Sequence, residues 1–278
     1  MLQQLDAAIT SSLLLYIQEE ILRQGAAFNN QSSLFYPDVN EISGLYTFTS
    51  PYRPFVGDTS ISGANVMSGV YLNGNYISIG QSGLTYINHS EGAITFNTPI
   101  SANTQISGNF SVAEFDVRIA DGPDYKIILE DKYATNPKYS QQATGLPEDV
   151  EVFPAVILVP KRQENKSFAF MGIDNMTMVI RAVVVSENAF QRICVGNILK
   201  NLKLKNFNLI SSTSPMDYLG NITGTTPYNY FNLSINSGWN PVIWDAKVIE
   251  IPEIGTYRDL TKQFSLCDLT ISVFGGHQ

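Results

Sequence analysis

The sequence predicts an α+β fold: a mainly antiparallel β-sheet with an N-terminal helix and one helix packed across the sheet, plus a β-hairpin-rich insertion. Three observations predict it. The β-branched run Met176 to Val185 (MTMVIRAVVV) stops at Ser186 and gives way to ENAFQRICVGNILKNLK, whose apolar groups recur at helical spacing. Near the start, Leu2, Leu5, Ile9, Leu13, Leu14, Ile17 and Ile21 recur at three- and four-residue steps and build one apolar stripe. Between these two helices, glycine, serine and asparagine interrupt short alternating strands, and more long strands follow the second helix. Segregated helices and strands of this kind make an α+β domain.

Taken in order, Leu2 to Arg23 is the first helix, with Glu19 and Glu20 off its apolar stripe and Gly25 as its stop. Residues Ala26 to Gly44 are polar and irregular and read as a connecting arm, so 1–44 forms one unit. The β-rich insertion or lobe is 45–121. In it Val70 to Leu72 and Tyr76 to Ile79 flank Asn73-Gly74-Asn75, the strongest short hairpin signal. Gly80 to Gly83 bends the chain, and Leu84 to Ile87 and Ala93 to Phe96 flank a turn at His89 to Gly92. A longer strand, Gln105 to Ile119, carries Val112, Phe115 and Val117 as buried candidates.

The α+β core is 122–278. Asp121 to Asp124 is a turn, Tyr125 to Leu129 a strand and Lys132 to Glu148 a loop. Val152 to Pro160 is a strand in which Pro154 marks an edge or a start. Ser186 is the expected N-cap of the second helix, whose buried stripe is Phe190, Ile193, Cys194, Ile198 and Leu202, so that aspartate at Ile193 is expected to unfold the domain. A strand near Phe207 to Ile210, a long irregular stretch from Ser211 to Asn240, and the strands Val242 to Ile251 and Phe264 to Phe274 complete the chain.

Composition narrows the function. The chain has 278 residues, 44% hydrophobic and 15% charged, which suits a sizeable core and excludes a disordered chain. A net charge of −8 argues against a dedicated nucleic-acid grip, yet suits a surface that DNA passes without sticking. Cys194 and Cys267 are too few for a disulfide framework and read as buried thiols. No signal peptide and no apolar run of membrane-spanning length is present, so the expectation is a chain made in the cytoplasm, with no membrane partner. Asn88, Asn109, Asn175, Asn221 and Asn232 match the glycosylation pattern through composition alone.

The chemistry-bearing residues are sparse. His89 sits in a turn and His277 at the tail, neither with a metal-ligand partner at suitable spacing. No phosphate loop occurs. Asp116, Asp121, Asp124, Glu130 and Asp131 cluster along one hairpin and read as a solvated edge, with weak calcium binding or carboxylate hydrolysis as the sharper alternatives. Arg192, Lys200, Lys203 and Lys205 read as a solvated helix end or as a contact for an acidic partner or DNA. The aromatic loop Tyr218, Tyr228, Tyr230, Phe231 and Trp239 reads either as a contact surface or as a flap over the core. No catalytic, metal or cofactor residue is expected.

The run VIRAVVVSENAFQRICVGNILKNLKLKNFNLI and the late strand pair resemble the core of phage tail-terminator and head–tail neck proteins. The segments GVYLNGNYISIGQSGLTYINHSEGAITF and FSVAEFDVRIA resemble part of the neck and structural proteins of large tailed phages of the marine kind. This resemblance implies a virion protein that forms a ring, often a hexamer, with tail tube or sheath on one side, head-completion or adaptor proteins on the other, and DNA sliding through the bore. It implies work done by surfaces, with no catalytic residue and no cofactor. The contacts are then expected from the first helix through Leu14 and Ile17, from strand edges, and from Tyr218, Tyr228, Tyr230, Phe231 and Trp239. A head-closure or adaptor role in the same neck, and a glycan- or receptor-binding tail module, are the alternatives.

Overall fold

The computed structural model describes residues 5–38, 44–120, 152–167, 174–210, 215–216, 222, 227–233, 239–250 and 263–275. The expected turn, strand and loop between Asp121 and Glu148, and most of the aromatic loop, lie outside them. In chain order the elements are α1 (Leu5–Gly25), β1 (Phe28–Leu34), β2 (Tyr36–Pro37), β3 (Tyr46–Thr49), β4 (Gly69–Leu72), β5 (Asn75–Ser78), β6 (Leu84–Asn88), β7 (Ala93–Phe96), β8 (Ile106–Ala113) and β9 (Asp116–Ile119). Then come β10 (Ala155–Ser167), β11 (Asp174–Ser186), α2 (Ala189–Lys200), β12 (Lys205–Asn206), a 3-10 turn (Tyr230–Asn232), β13 (Trp239–Glu250) and β14 (Gln263–Gly275). This is the expected α+β fold with mainly antiparallel sheets.

The core is a six-stranded sheet in the order β12-β13-β14-β11-β10-β9, antiparallel except for the β9–β10 pair. The β-branched run of β11 lies in its middle, because a strand flanked on both sides and covered on both faces can be apolar at every position. Pro154 precedes β10 and marks the strand's start; β10 itself is flanked by β9 and β11. One face of β11 (Met176, Met178, Ile180, Ala182, Val184) packs with Leu269, Ile271 and Val273 of β14 under the two helices. On the opposite face Ala155, Ile157, Val159, Val183, Val185 and Phe264 form a second cluster. Beyond that cluster, cross-strand partners Arg181 and Asp268 make a bidentate ion pair at 2.6 and 2.9 Å.

The lobe is a small β-sandwich. Sheets β1-β8-β4-β5 and β2-β3-β7-β6 enclose Phe35, Phe55, Met67, Val70, Leu84, Ile87, Ile94, Phe96 and Phe110. Its boundaries differ from the expected ones at both ends. The polar arm after α1 is in fact strand β1, paired along its length with β8, and β2, paired with β3. β1 hides from periodicity because an exposed edge strand needs no apolar face. At the other end the long predicted strand breaks at Glu114 and Phe115, and β9 joins the large sheet. Val112, Phe115 and Val117 are buried, as expected. The Asn73-Gly74 hairpin also forms as expected, with φ of 48° and 85° at its two turn residues.

Helix α1 departs most from expectation. From Ala8 to Leu22 every residue except Gln18 is buried. The large sheet and α2 enclose it on one side. Phe207, Leu209, Ile210, Tyr228 and Tyr230 close it on the other, with Val56 and Ile61 of the lobe. Tyr16 stacks between Phe207 (5.7 Å) and Tyr230 (6.2 Å), and Ser12 Oγ accepts from the Ile210 amide at 2.9 Å. The helix ends through Ala26, which takes the left-handed conformation at φ 44°, and not through Gly25 itself.

Glu19 and Glu20, expected on the solvent side, are therefore buried as well. Burial raises Glu19 above the ordinary glutamate range, against a 2.8 Å hydrogen bond from Arg23. Burial also works against the Glu20 carboxylate. Bonds from Tyr16 and Gln24 and the charges of Lys205 and Arg23 outweigh it and hold Glu20 below that range. The two residues thus act oppositely on stability. A lowered acid stabilises the fold above its unfolded value, roughly pH 4 to 5, and loses that contribution as pH falls through its folded value. A raised acid stabilises below that same value and loses the contribution as pH rises. We expect Glu20→Gln to lower the urea midpoint at pH 7 by the equivalent of ~1–3 kcal/mol, with the difference fading below about pH 4. Glu19→Gln is expected to leave the pH 7 midpoint level or higher. Denaturation from pH 3 to 8 reads both.

Candidate functional site

Helix α2 starts at Asn188, not Ser186. The Asn188 side chain accepts from the Gln191 amide at 2.9 Å. Ser186 instead donates its hydroxyl to the Asn188 carbonyl, holding the strand-to-helix corner. The side of the helix turned to the sheet also differs from the sequence expectation. Val195, Gly196, Leu199 and Leu202 face the sheet, with Ile198 half-buried, and a Cβ on Gly196 would meet Val248 at 3.9 Å. Phe190 and Ile193, expected in the core, point to solvent at 78% and 49% exposure, and Cys194 is exposed too. The expectation that aspartate at Ile193 unfolds the domain is overturned with them.

The outward side of α2 is unusual for a helix in an acidic chain. Phe190, Ile193 and Cys194 lie at its amino end, and Leu204 and Trp244 are exposed where the chain turns past its carboxyl end onto β13. Leu204 is pinned there in the left-handed region (φ 62°), its amide donating to the Ile243 carbonyl at 2.7 Å. Trp244 sits at the bulge between Ile243 and Asp245, which takes it out of the strand's alternation. From Asn188 to Leu204 the sequence has Arg192, Lys200 and Lys203 and no acidic residue, against −8 for the chain. Lys203 pairs with Asp245 at 2.7 Å, and Lys205 reaches Glu20 at 3.3 Å, so this basic group is partly spent on internal pairs.

The seven expected contact residues separate. Leu14 and Ile17 are fully enclosed by the chain's own core, which leaves them no surface for a neighbour. Tyr228 and Tyr230 are buried against α1 and Asp58, where the Asp58 carboxylate accepts from the Tyr230 amide at 3.2 Å. These two act as the flap and not as a contact. Phe231 is exposed. Tyr218 and the Trp239 side chain lie outside the described residues.

No family model matches the chain, and no curated protein matches it.

The chemical groups singled out in the sequence have structural places. His89 is buried in the lobe with its Nε2 3.1 Å from the Met67 carbonyl and its ring against Phe55. Asp116 lies in β9, where burial raises its carboxyl against the pull of Arg118. The other four carboxylates of that cluster and His277 lie outside the described residues. Cys267 is buried under the helices, which pushes its thiol up to about 12. Among the described residues no group of three or more His, Cys, Asp or Glu is arranged to hold a metal ion. Among them too, no helix is long and apolar enough to cross a membrane.

Proposed function

We propose that this protein is a structural subunit of a tailed-phage virion. Copies form a ring, of hexamer type, at the neck; it terminates the tail and joins it to the head, with DNA passing through the bore. The observation that carries the reading is the outer side of α2. Phe190 and Ile193 stand in solvent on an acid-free, basic helix, while the rest of the chain is acidic. A surface of this kind suits an acidic partner with apolar contacts at its centre, and a second copy of the chain is such a partner. In a ring the contact is heterologous: α2 of one copy meets a different surface of the next, and the rotation closes. The acidic balance suits a bore that repels DNA. The sequence resemblance supports a position at the neck, with tail tube or sheath and head-completion or adaptor proteins as neighbours. It also implies assembly in the host cytoplasm into the virion. A head-closure or adaptor position in the same neck uses the same surfaces.

Negative-stain images and native mass spectra of the purified protein, alone and mixed with tails, test this. Annular particles are expected from the parent. The double variant Phe190→Ser, Ile193→Asp is expected to give folded monomers that melt within a few degrees of the parent. A parent that stays monomeric or dimeric even beside tail tubes would sink the proposal.

A further inference from the structure

The lobe carries a second surface, on the side of the sandwich away from its core. In β1-β8-β4-β5, alternate residues face outward: Ser32 and Leu34; Ser107 and Asn109; Gly69 and Tyr71; Tyr76 and Ser78. Further along, Asn30 and the buried Ser111 are bonded to each other and to the segment around Gly63 and Asn65, which bounds the open part of the face. Not one of these is charged. Exposed sheet faces usually carry Lys or Glu, which also guard the edge strands against unwanted pairing. Here hydroxyls, amides and two tyrosines take their place.

The tyrosines are built in, not merely exposed. Tyr76 is 51% exposed, yet its hydroxyl is hydrogen-bonded to Ser68 Oγ at 3.0 Å. Its ring end lies across Gly69: a Cβ there would be 2.7 Å from the Tyr76 hydroxyl and 2.8 Å from the ring carbon that bears it. The nearest clash of such a Cβ is with the Ile77 carbonyl oxygen, so glycine at 69 makes room for the backbone of β5 as well as for the ring. Tyr71, the cross-strand partner, meets Tyr76 at 5.4 Å and 64° and closes one side. The hairpin beneath is fixed to the start of β8, since the Asn73 amide donates to the Gln105 carbonyl at 2.9 Å and the Asn73 side chain accepts from the Gln105 amide at 2.8 Å. An aromatic plate held in place before a ligand arrives costs little entropy on binding.

We propose that this face binds an uncharged oligosaccharide. The apolar C–H side of a pyranose ring stacks on Tyr76, and its hydroxyls exchange hydrogen bonds with Ser78, Ser107, Asn109 and Ser32 in the neighbouring rows. A neutral sugar needs no counter-charge, and the face offers none. A protein partner would need an enclosed apolar anchor, and Leu34 is the single aliphatic side chain in the set. The inference stands apart from the neck reading, because it uses the lobe and not α2.

The full chain is titrated with maltohexaose, cellohexaose, laminarihexaose and hexaacetylchitohexaose, with dextran sulfate as the charged comparison, by saturation-transfer NMR and calorimetry. At least one neutral sugar is expected to bind in the ~millimolar range. Tyr76→Ala and Gly69→Ala are each expected to weaken it about tenfold or more, Asn109→Ala to weaken it less, and Tyr76→Phe to keep most of it. Phe190→Ser, on the other surface, is expected to bind like the parent. Since Gly69→Ala can disturb the strand, the folded state of each variant is followed by its melting curve, and Asn109→Ala, at an exposed position, supplies the independent check. The proposal is overturned if no neutral sugar binds, if only dextran sulfate does, or if Tyr76→Ala and Asn109→Ala both bind like the parent. It is equally overturned if Tyr76→Ala changes the particle mass and leaves sugar binding alone, which would make the face a contact between copies.

Discussion

Leu199→Asp is expected to leave no folded protein at room temperature, while Ile193→Asp, earlier on the same helix, melts within a few degrees of the parent. Leu199 is fully buried between α2 and the large sheet, in one cluster with Val195, Leu202, Ile243 and Leu269. An aspartate there loses the burial of a leucine and places an unpaired carboxylate in an apolar environment. The combined cost, above ~5 kcal/mol, is comparable to the whole stability of a domain. Ile193 has half its surface in water, so the same substitution costs only a fraction of its apolar contact. Circular dichroism melts of the two variants decide the matter. Equal melting temperatures would mean that the helix is turned the other way.

Alanine at Leu13 or at Ile17 is expected to cost about 2–5 kcal/mol each, with the loss seen in the isolated chain at any concentration. Both side chains are completely enclosed, by the sheet on one side and by the segment around Phe207, Leu209 and Ile210 on the other. Were Ile17 a contact between copies, as its stripe suggested, Ile17→Ala would leave the monomer's urea midpoint alone and change only the particle mass. The two outcomes separate cleanly in one denaturation series at two protein concentrations.

Why periodicity found the long elements and misjudged their faces follows from particular residues. The run from Met176 to Val185 reads as a strand because β-branched groups lose side-chain freedom in a helix and pack well on a pleated sheet, and its central place in the sheet follows from the lack of alternation. Asn73-Gly74 reads as a turn because both residues need positive φ. In α2, however, apolar residues occupy two sides: Phe190, Ile193 and Cys194 on one, Val195, Leu199 and Leu202 on the other. Spacing alone cannot choose between them. Gly196 could have done so, since a glycine beside Val195 and Leu199 marks the side on which helix and sheet approach. In α1 the apolar stripe was visible, but nothing local told that later segments would cover its back as well. There Ser11, Ser12, Glu19 and Glu20 look like a solvated side, and their burial depends on Ile210, Tyr16 and Lys205. Strand β1 (FNNQSSL) carries no local signal, because its partner β8 is far away in sequence. The charge-free outer face of the lobe was equally hidden, since it exists only once β1, β8, β4 and β5 lie side by side.

The enclosure of α1 sets an order on the birth of the molecule. Its side chains are made before the residues that seal them, most of which lie between Val156 and Val273. Until those residues are in place the apolar stripe of the helix lacks its cover. Closing loops of that length is slow, and a waiting sticky segment invites aggregation. The stripe of α1 therefore stays open to other chains until β14 has been made.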